Sequence, residues 1–138
     1  MIDPDDAKLL HRMADEARAY LQRHSWCERV SDLEYGDGVG SIVAVFRASI
    51  VPAEPGVDDQ LWVIVGDVPP LYLVTEELPT ARSALRAYVE WRREWIDAVR
   101  ERRPTDDLPA VDMAPTAANA DRLAVRLDFI ETAVQEWQ

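Results

Sequence analysis

Apolar residues recur along this chain at two different periods, and the switches between them divide it into seven segments. Over residues 4–23 the spacing is helical: Leu10, Met13, Ala14, Ala17, Tyr20 and Leu21 fall on one stripe. Asp3 is placed to cap this helix, Pro4 suits its first position, and the acids of the first turn oppose the macrodipole. The pattern then breaks into short runs. Residues 30–35 predict a first strand, with Leu33 and Tyr35 on one face and Asp32 and Glu34 on the other. Gly36-Asp37-Gly38 reads as a hairpin turn, because glycine accepts positive φ. Residues 42–51 predict a second strand: Ile42, Ala44, Phe46 and Ala48 share one parity, and Val43, Val45, Arg47 and Ser49 share the other. After a loop over 52–59 come two apolar runs, predicting strands over 61–65 and 71–75. They barely alternate, which predicts a hairpin covered on both faces. Its joint, Gly66-Asp67-Val68-Pro69-Pro70, is a wide loop with Asp67 at the tip.

Helical spacing returns over residues 80–102, with Thr80 as the N-cap. The expected apolar face is Ala84, Leu85, Tyr88, Trp91, Trp95 and Val99, with Ile96 beside it. Arg86–Glu90 and Arg93–Asp97 are spaced as i,i+4 pairs. A proline-rich connection over 104–115 follows, pinned by Leu108, Val111 and Met113. The last helix, over 117–137, is capped by Thr116 and buries Ala120, Leu123, Ala124, Leu127, Ile130, Val134 and Trp137. The order is α-β-β-β-β-α-α. Every strand connection is short, so the fold expected over 1–138 is a single α+β domain. It holds a four-stranded antiparallel meander covered by one N-terminal and two C-terminal helices.

Composition narrows the function more than the fold. The formal net charge is −11, which argues against unspecific binding to nucleic acid or to an anionic membrane and suits a basic protein partner. The charge is uneven: residues 25–79 carry ten acids and two bases, whereas residues 80–103 carry four acids and seven arginines. Cys27 is the single cysteine, so no intrachain disulfide forms and a reducing compartment fits. No apolar run approaches the roughly 18 residues of a membrane span, and the acidic start of the chain lacks a signal-peptide core. A soluble, cytoplasmic protein is expected.

The candidate chemistry is sparse. His11 and His24 are 13 residues apart on one helix, about 220° around its axis, so they share no ligand there. His24, Cys27 and Glu28 are near neighbours, but a zinc site wants three or four ligands at a recognisable spacing. The glycines of 36–40 lead into a strand rather than a helix N-terminus, which is not how a phosphate loop is built. A calcium loop begun at Asp32 puts Val43 where its twelfth position needs an acid. The paired acids at 58–59, 76–77 and 106–107 fall in loops or at element ends. These residues assign no catalytic group, no cofactor and no metal. The Tyr88, Trp91 and Trp95 stripe reads first as core and second as an exposed binding face.

The stretch LWVIVGDVPPLYLV, followed by Pro79-Thr80 and the Tyr88/Trp91/Trp95 helix, resembles small acidic bacterial proteins of unknown function over roughly residues 60–137. In size, acidity and α+β order the chain is also similar in type to immunity proteins that neutralise toxins in bacterial competition. The likeness assigns no residue; the net charge of −11, its concentration in residues 25–79 and the lack of catalytic spacing point to a non-enzymatic binding module for a basic partner, with Asp32, Glu34, Asp37, Asp58, Asp59 and Asp67 as candidate contacts. Two other readings stand beside it. One is a homodimer built on the Trp-bearing helices. The other is an enzyme or small-molecule binder with a pocket between sheet and helices, lined by Tyr35, Tyr72, Trp62, Arg47 and Arg86.

Overall fold

The computed structural model describes residues 4–109, 111 and 113–136. The proposed cap Asp3 and the helix-burying Trp137 lie outside the described residues. The elements are α1 (Pro4–Gln22), β1 (Cys27–Val39), β2 (Val43–Pro52), β3 (Gln60–Gly66), β4 (Leu71–Val74), α2 (Ala81–Arg100) and α3 (Ala117–Glu136). The strands form one antiparallel sheet in the order β1-β2-β3-β4, so the expected α+β meander is what the chain adopts.

The sheet is the middle of three layers. On one face Met13, Ala17 and Leu21 of α1 pack against Ala44, Phe46, Ala48, Ile50, Leu61, Val63 and Val65. On the other face Val43, Val45, Trp62 and Ile64 meet Ala84, Leu85, Tyr88 and Ile96 of α2. Leu123, Leu127 and Ile130 of α3 join the same cluster. All five residues from Leu61 to Val65 are buried, which explains why that run does not alternate. Burying each such aliphatic side chain stabilises the fold by about 1.5–3 kcal/mol.

The first hairpin differs from its expected form. β1 is thirteen residues long rather than six, and Gly36-Asp37-Gly38 lies inside it: Asp37 pairs with Val45 and Gly38 with Ala44. The turn sits at residues 40–42, closed by the Ile42 amide donating to the Val39 carbonyl at 3.0 Å, with Gly40 at φ 50°. Gly36 serves close approach instead. A Cβ placed there would stand 2.5 Å from the Ala81 Cβ, where α2 begins. Register irregularities between Cys27 and Arg29, Val30 and Asp32, and Tyr35 and Asp37 bulge β1. They space its inward residues Cys27, Val30 and Leu33 by three instead of two. The irregular strand is also a free edge, and bulges are one way such edges are kept from pairing with other chains.

α2 starts with the expected cap. The Thr80 Oγ1 accepts from the Ser83 amide, and the Ser83 hydroxyl accepts from the Thr80 amide, each at 3.0 Å. Its buried face is turned from the expected one. Trp95 is core, but Trp91 is 39% exposed, and Arg92 is buried in its place. A guanidinium tolerates this only because acceptors surround it. Arg92 Nη2 donates to the Pro70 carbonyl at 2.9 Å, Nη1 reaches the Pro109 carbonyl at 3.4 Å, and Cζ lies 5.0 Å from the Tyr88 ring centroid. Tyr88 adds a 2.6 Å hydrogen bond from its hydroxyl to the Pro69 carbonyl. The β3–β4 loop and the α2–α3 connection are thus tied to one helix. α3 runs antiparallel to α2. Arg93, spaced to pair with Asp97, crosses to Asp128 at 2.6 Å and Glu131 at 3.0 Å, and Arg100 reaches Asp121 at 3.0 Å.

Arg92→Ala is expected to lower unfolding free energy by about 2–4 kcal/mol in urea titrations, since two carbonyls lose their donor and a cavity opens. Arg92→Met, which keeps the volume, should separate the packing loss from the polar one. Burial pushes the Tyr88 hydroxyl up to about 12, against an ordinary value of 10.0. The folded state therefore holds this proton more tightly than the unfolded chain. Its contribution is complete below pH 10 and is lost as pH rises from 10 towards 12. A Tyr88→Phe variant should lose about 1–3 kcal/mol less stability across that window, read from denaturant midpoints at each pH.

Candidate functional site

The cross-strand register decides which acids share a surface. Asp32 stands opposite Ser49, and Ser49 opposite Gln60; Glu34 stands opposite Arg47, and Arg47 opposite Trp62. Directly paired residues lie on one face of a sheet. These rows therefore belong to the α2 side, along with Val43 and Val45. α2 does not reach over them. It begins at Ala81 beside Gly36, and the preceding connection closes over Trp62, whose Nε1 donates to the Leu78 carbonyl at 2.8 Å. Beyond that point Asp32, Glu34 and Arg47 are exposed and Ser49 and Gln60 half-buried.

A polar network covers this open end. Arg47 Nε donates to Gln60 Oε1 at 3.3 Å, Gln60 Nε2 donates to Ser49 Oγ at 3.0 Å, and Ser31 Oγ donates to the Ser49 carbonyl at 3.0 Å. The Arg47 guanidinium lies 5.7 Å from the Trp62 ring centroid. Asp58 and Asp59 directly precede Gln60, and the Asp59 carbonyl accepts from the Ile50 amide at 2.9 Å. Of the six expected contact acids, Asp32 and Glu34 thus lie on this surface, Asp58 and Asp59 lead into its edge at Gln60, and all four are exposed. Arg47 sits among them. Its place follows from pairing with Glu34, which depends on bulges that no spacing rule announces.

The other two acids are engaged within the fold. Asp37 Oδ2 accepts from Arg82 Nε at 2.7 Å, and both side chains are largely buried. Asp67 Oδ2 accepts from Arg126 Nε at 3.0 Å. Asp67 lies at the opposite end of the sheet, since Gly66 pairs with Val43 while Gln60 pairs with Ser49. Val68 and Pro69 beside it are buried. The β3–β4 loop is therefore packed against helices rather than held out to solvent.

The five residues expected to line a pocket do not come together. Tyr35 meets Phe46 and Tyr72 meets Tyr20 on the α1 side, whereas Arg47 and Trp62 lie on the other face and Arg86 borders the α2–α3 groove. His24 is half-buried. Its ring touches those of Tyr20, Trp26 and Tyr72 at centroid distances of 4.8–5.1 Å, with Nδ1 3.0 Å from the Tyr20 carbonyl. Cys27 is buried, and burial pushes its thiol up, away from the thiolate. Among the described residues, no three His, Cys, Asp or Glu side chains are grouped to hold a metal ion. No described helix is long and apolar enough to cross a membrane. On the outer face of α3, Val125 and Phe129 are 68% and 57% exposed.

Comparison with protein-family models, with curated proteins and with solved structures finds no match to this chain.

The two kinds of acid should separate in stability measurements. Asp37→Ala, which strands a largely buried guanidinium, is expected to cost about 1–3 kcal/mol. Asp32→Ala and Glu34→Ala should change stability by no more than about 0.5 kcal/mol. Urea denaturation of the three variants compares them directly.

Proposed function

We propose that this chain is a non-enzymatic protein-binding module of immunity-like type, which takes a basic partner on the open end of its sheet. The observation that carries the reading is the placing of exposed Asp32 and Glu34 on a sheet face the helices leave uncovered, with exposed Asp58 and Asp59 leading into that end of the sheet at Gln60. Residues 25–79, which supply all four, hold ten acids against two bases. Such a surface speeds encounter with a basic partner and repels acidic ones. Arg47 and the Ser49–Gln60 pair offer hydrogen bonds among the acids, which would fix the partner's register. A cytoplasmic setting suits the single buried cysteine.

The test is capture from the native host on immobilised wild-type chain and on an Asp32→Lys/Glu34→Lys/Asp58→Lys/Asp59→Lys variant. A basic protein retained by the wild type, released by raised salt and missing from the variant is the expected result, with affinity falling at least about tenfold on charge reversal. Asp67→Asn should bind that partner as the wild type does. A partner held equally by the reversed surface, or held without salt dependence, overturns the proposal.

A further inference from the structure

A second candidate site lies at the other end of the sheet and does not rest on the reading above. A groove of about 350 Å³ runs between the β3–β4 loop and the first turns of α3. That volume is within the range of small-molecule sites. Its apolar lining comes from Val68, Pro69, Pro70, Met113 and Leu123, and its polar lining includes Arg122 and Arg126. These are the only basic residues in 104–138, where seven acids accompany them. They are four residues apart, so both project from one side of α3. In a chain of net charge −11, the two cations of this segment are placed on one cleft.

Their guanidinium groups are not used up by the fold. The Arg122 side chain has no hydrogen-bond or ion-pair partner among the described residues. Arg126 donates from Nε to Asp67 and from Nη1 to the Arg122 carbonyl, which leaves Nη2. Asp67 is the one acid in the lining, and its carboxylate is largely exposed, so the cleft keeps a positive balance. Other grooves lack this combination. The α2–α3 groove sets Arg86 against Glu90 and Glu131, and the groove beside Val125 and Phe129 carries Asp128 with no cation.

We infer that this cleft binds a small organic anion: one oxyanion group on Arg122 and Arg126, and a flat apolar body against Val68, Pro70 and Leu123. An arginine fork accepts a carboxylate or a phosphate with paired N–H donors, and the apolar lining adds area that a bare ion does not use.

Titrations of the full chain with benzoate, phenyl phosphate, inorganic phosphate and benzyl alcohol, followed by NMR, test this. The readouts are the Arg122 and Arg126 Nε–H resonances and the Val68 and Leu123 methyls. Benzoate or phenyl phosphate should bind saturably and shift both sets, and whichever binds more tightly names the oxyanion. Inorganic phosphate and the neutral alcohol should each bind about tenfold more weakly or worse. Arg122→Gln should lose about tenfold in affinity with an unchanged melting midpoint, and Arg122→Lys should keep part of it. The inference is overturned if neither aromatic anion shifts these resonances up to about 10 mM, if inorganic phosphate binds as well as phenyl phosphate, or if Arg122→Gln binds as the wild type does.

Discussion

The buried guanidinium of Arg92 is the interaction on which the arrangement of the irregular segments depends. Regular elements satisfy their own backbone; loops between them do not. Here the β3–β4 loop turns at Pro69 and Pro70, and the α2–α3 connection passes Pro109, all residues with carbonyls but no amide hydrogen. One arginine on α2 gives hydrogen bonds to carbonyls in both segments, and Tyr88, one turn earlier, takes the Pro69 carbonyl. A lysine has a single ammonium and could not span both with the same geometry. The loop is thereby fixed against α2, which puts Val68, Pro69 and Pro70 where they line a cleft and puts Asp67 within reach of Arg126.

Much of the fold was legible because its layers have different periods. The two-residue alternation of β2 sorts its side chains correctly onto the α1 and α2 sides, and the unbroken apolar run at Leu61 to Val65 marks the central strand. Periodicity failed where a residue type contradicts its position. Arg92 occupies a core position that a hydrophobic stripe cannot include, so Trp91 is recruited to the stripe although it is exposed. Gly36-Asp37-Gly38 has the composition of a turn but the role of a strand. Gly36 lets the start of α2 come close, and Asp37 anchors Arg82 at the same place. Both reasons involve residues about forty-five positions away, which local spacing does not show.

The acidic surface was legible in part for a similar reason. An excess of acids in 25–79 can be counted, but whether each is free depends on the cations that tertiary structure brings to it. Asp37 and Asp67 are drawn into ion pairs with Arg82 and Arg126, both from the helical part of the chain. Asp32, Glu34, Asp58 and Asp59 border a part of the sheet that no helix crosses. Arginines of α2 and α3 therefore neutralise some of the acidic strands and leave one end charged. A contact list drawn from sequence alone gives all six acids equal standing, whereas the fold divides them into structural and available groups.

The two proposed sites can act independently because of their separation. Along β2, Ser49 marks the acidic end and Val43 the end near Asp67, six residues apart, or about 20 Å of strand. Screening in physiological salt falls off over about 8 Å. An anion seated beside Arg122 and Arg126 is therefore too far away to neutralise Asp32 or Glu34, and a basic partner on those acids does not compete for the cleft. Any coupling between them would have to pass through β2 and β3, which are hydrogen-bonded on both edges and, short of the open end at Arg47 and Ser49, buried on both faces. Close-packed strands of that kind have little room for a second arrangement, and without one there is no two-state element to carry a signal.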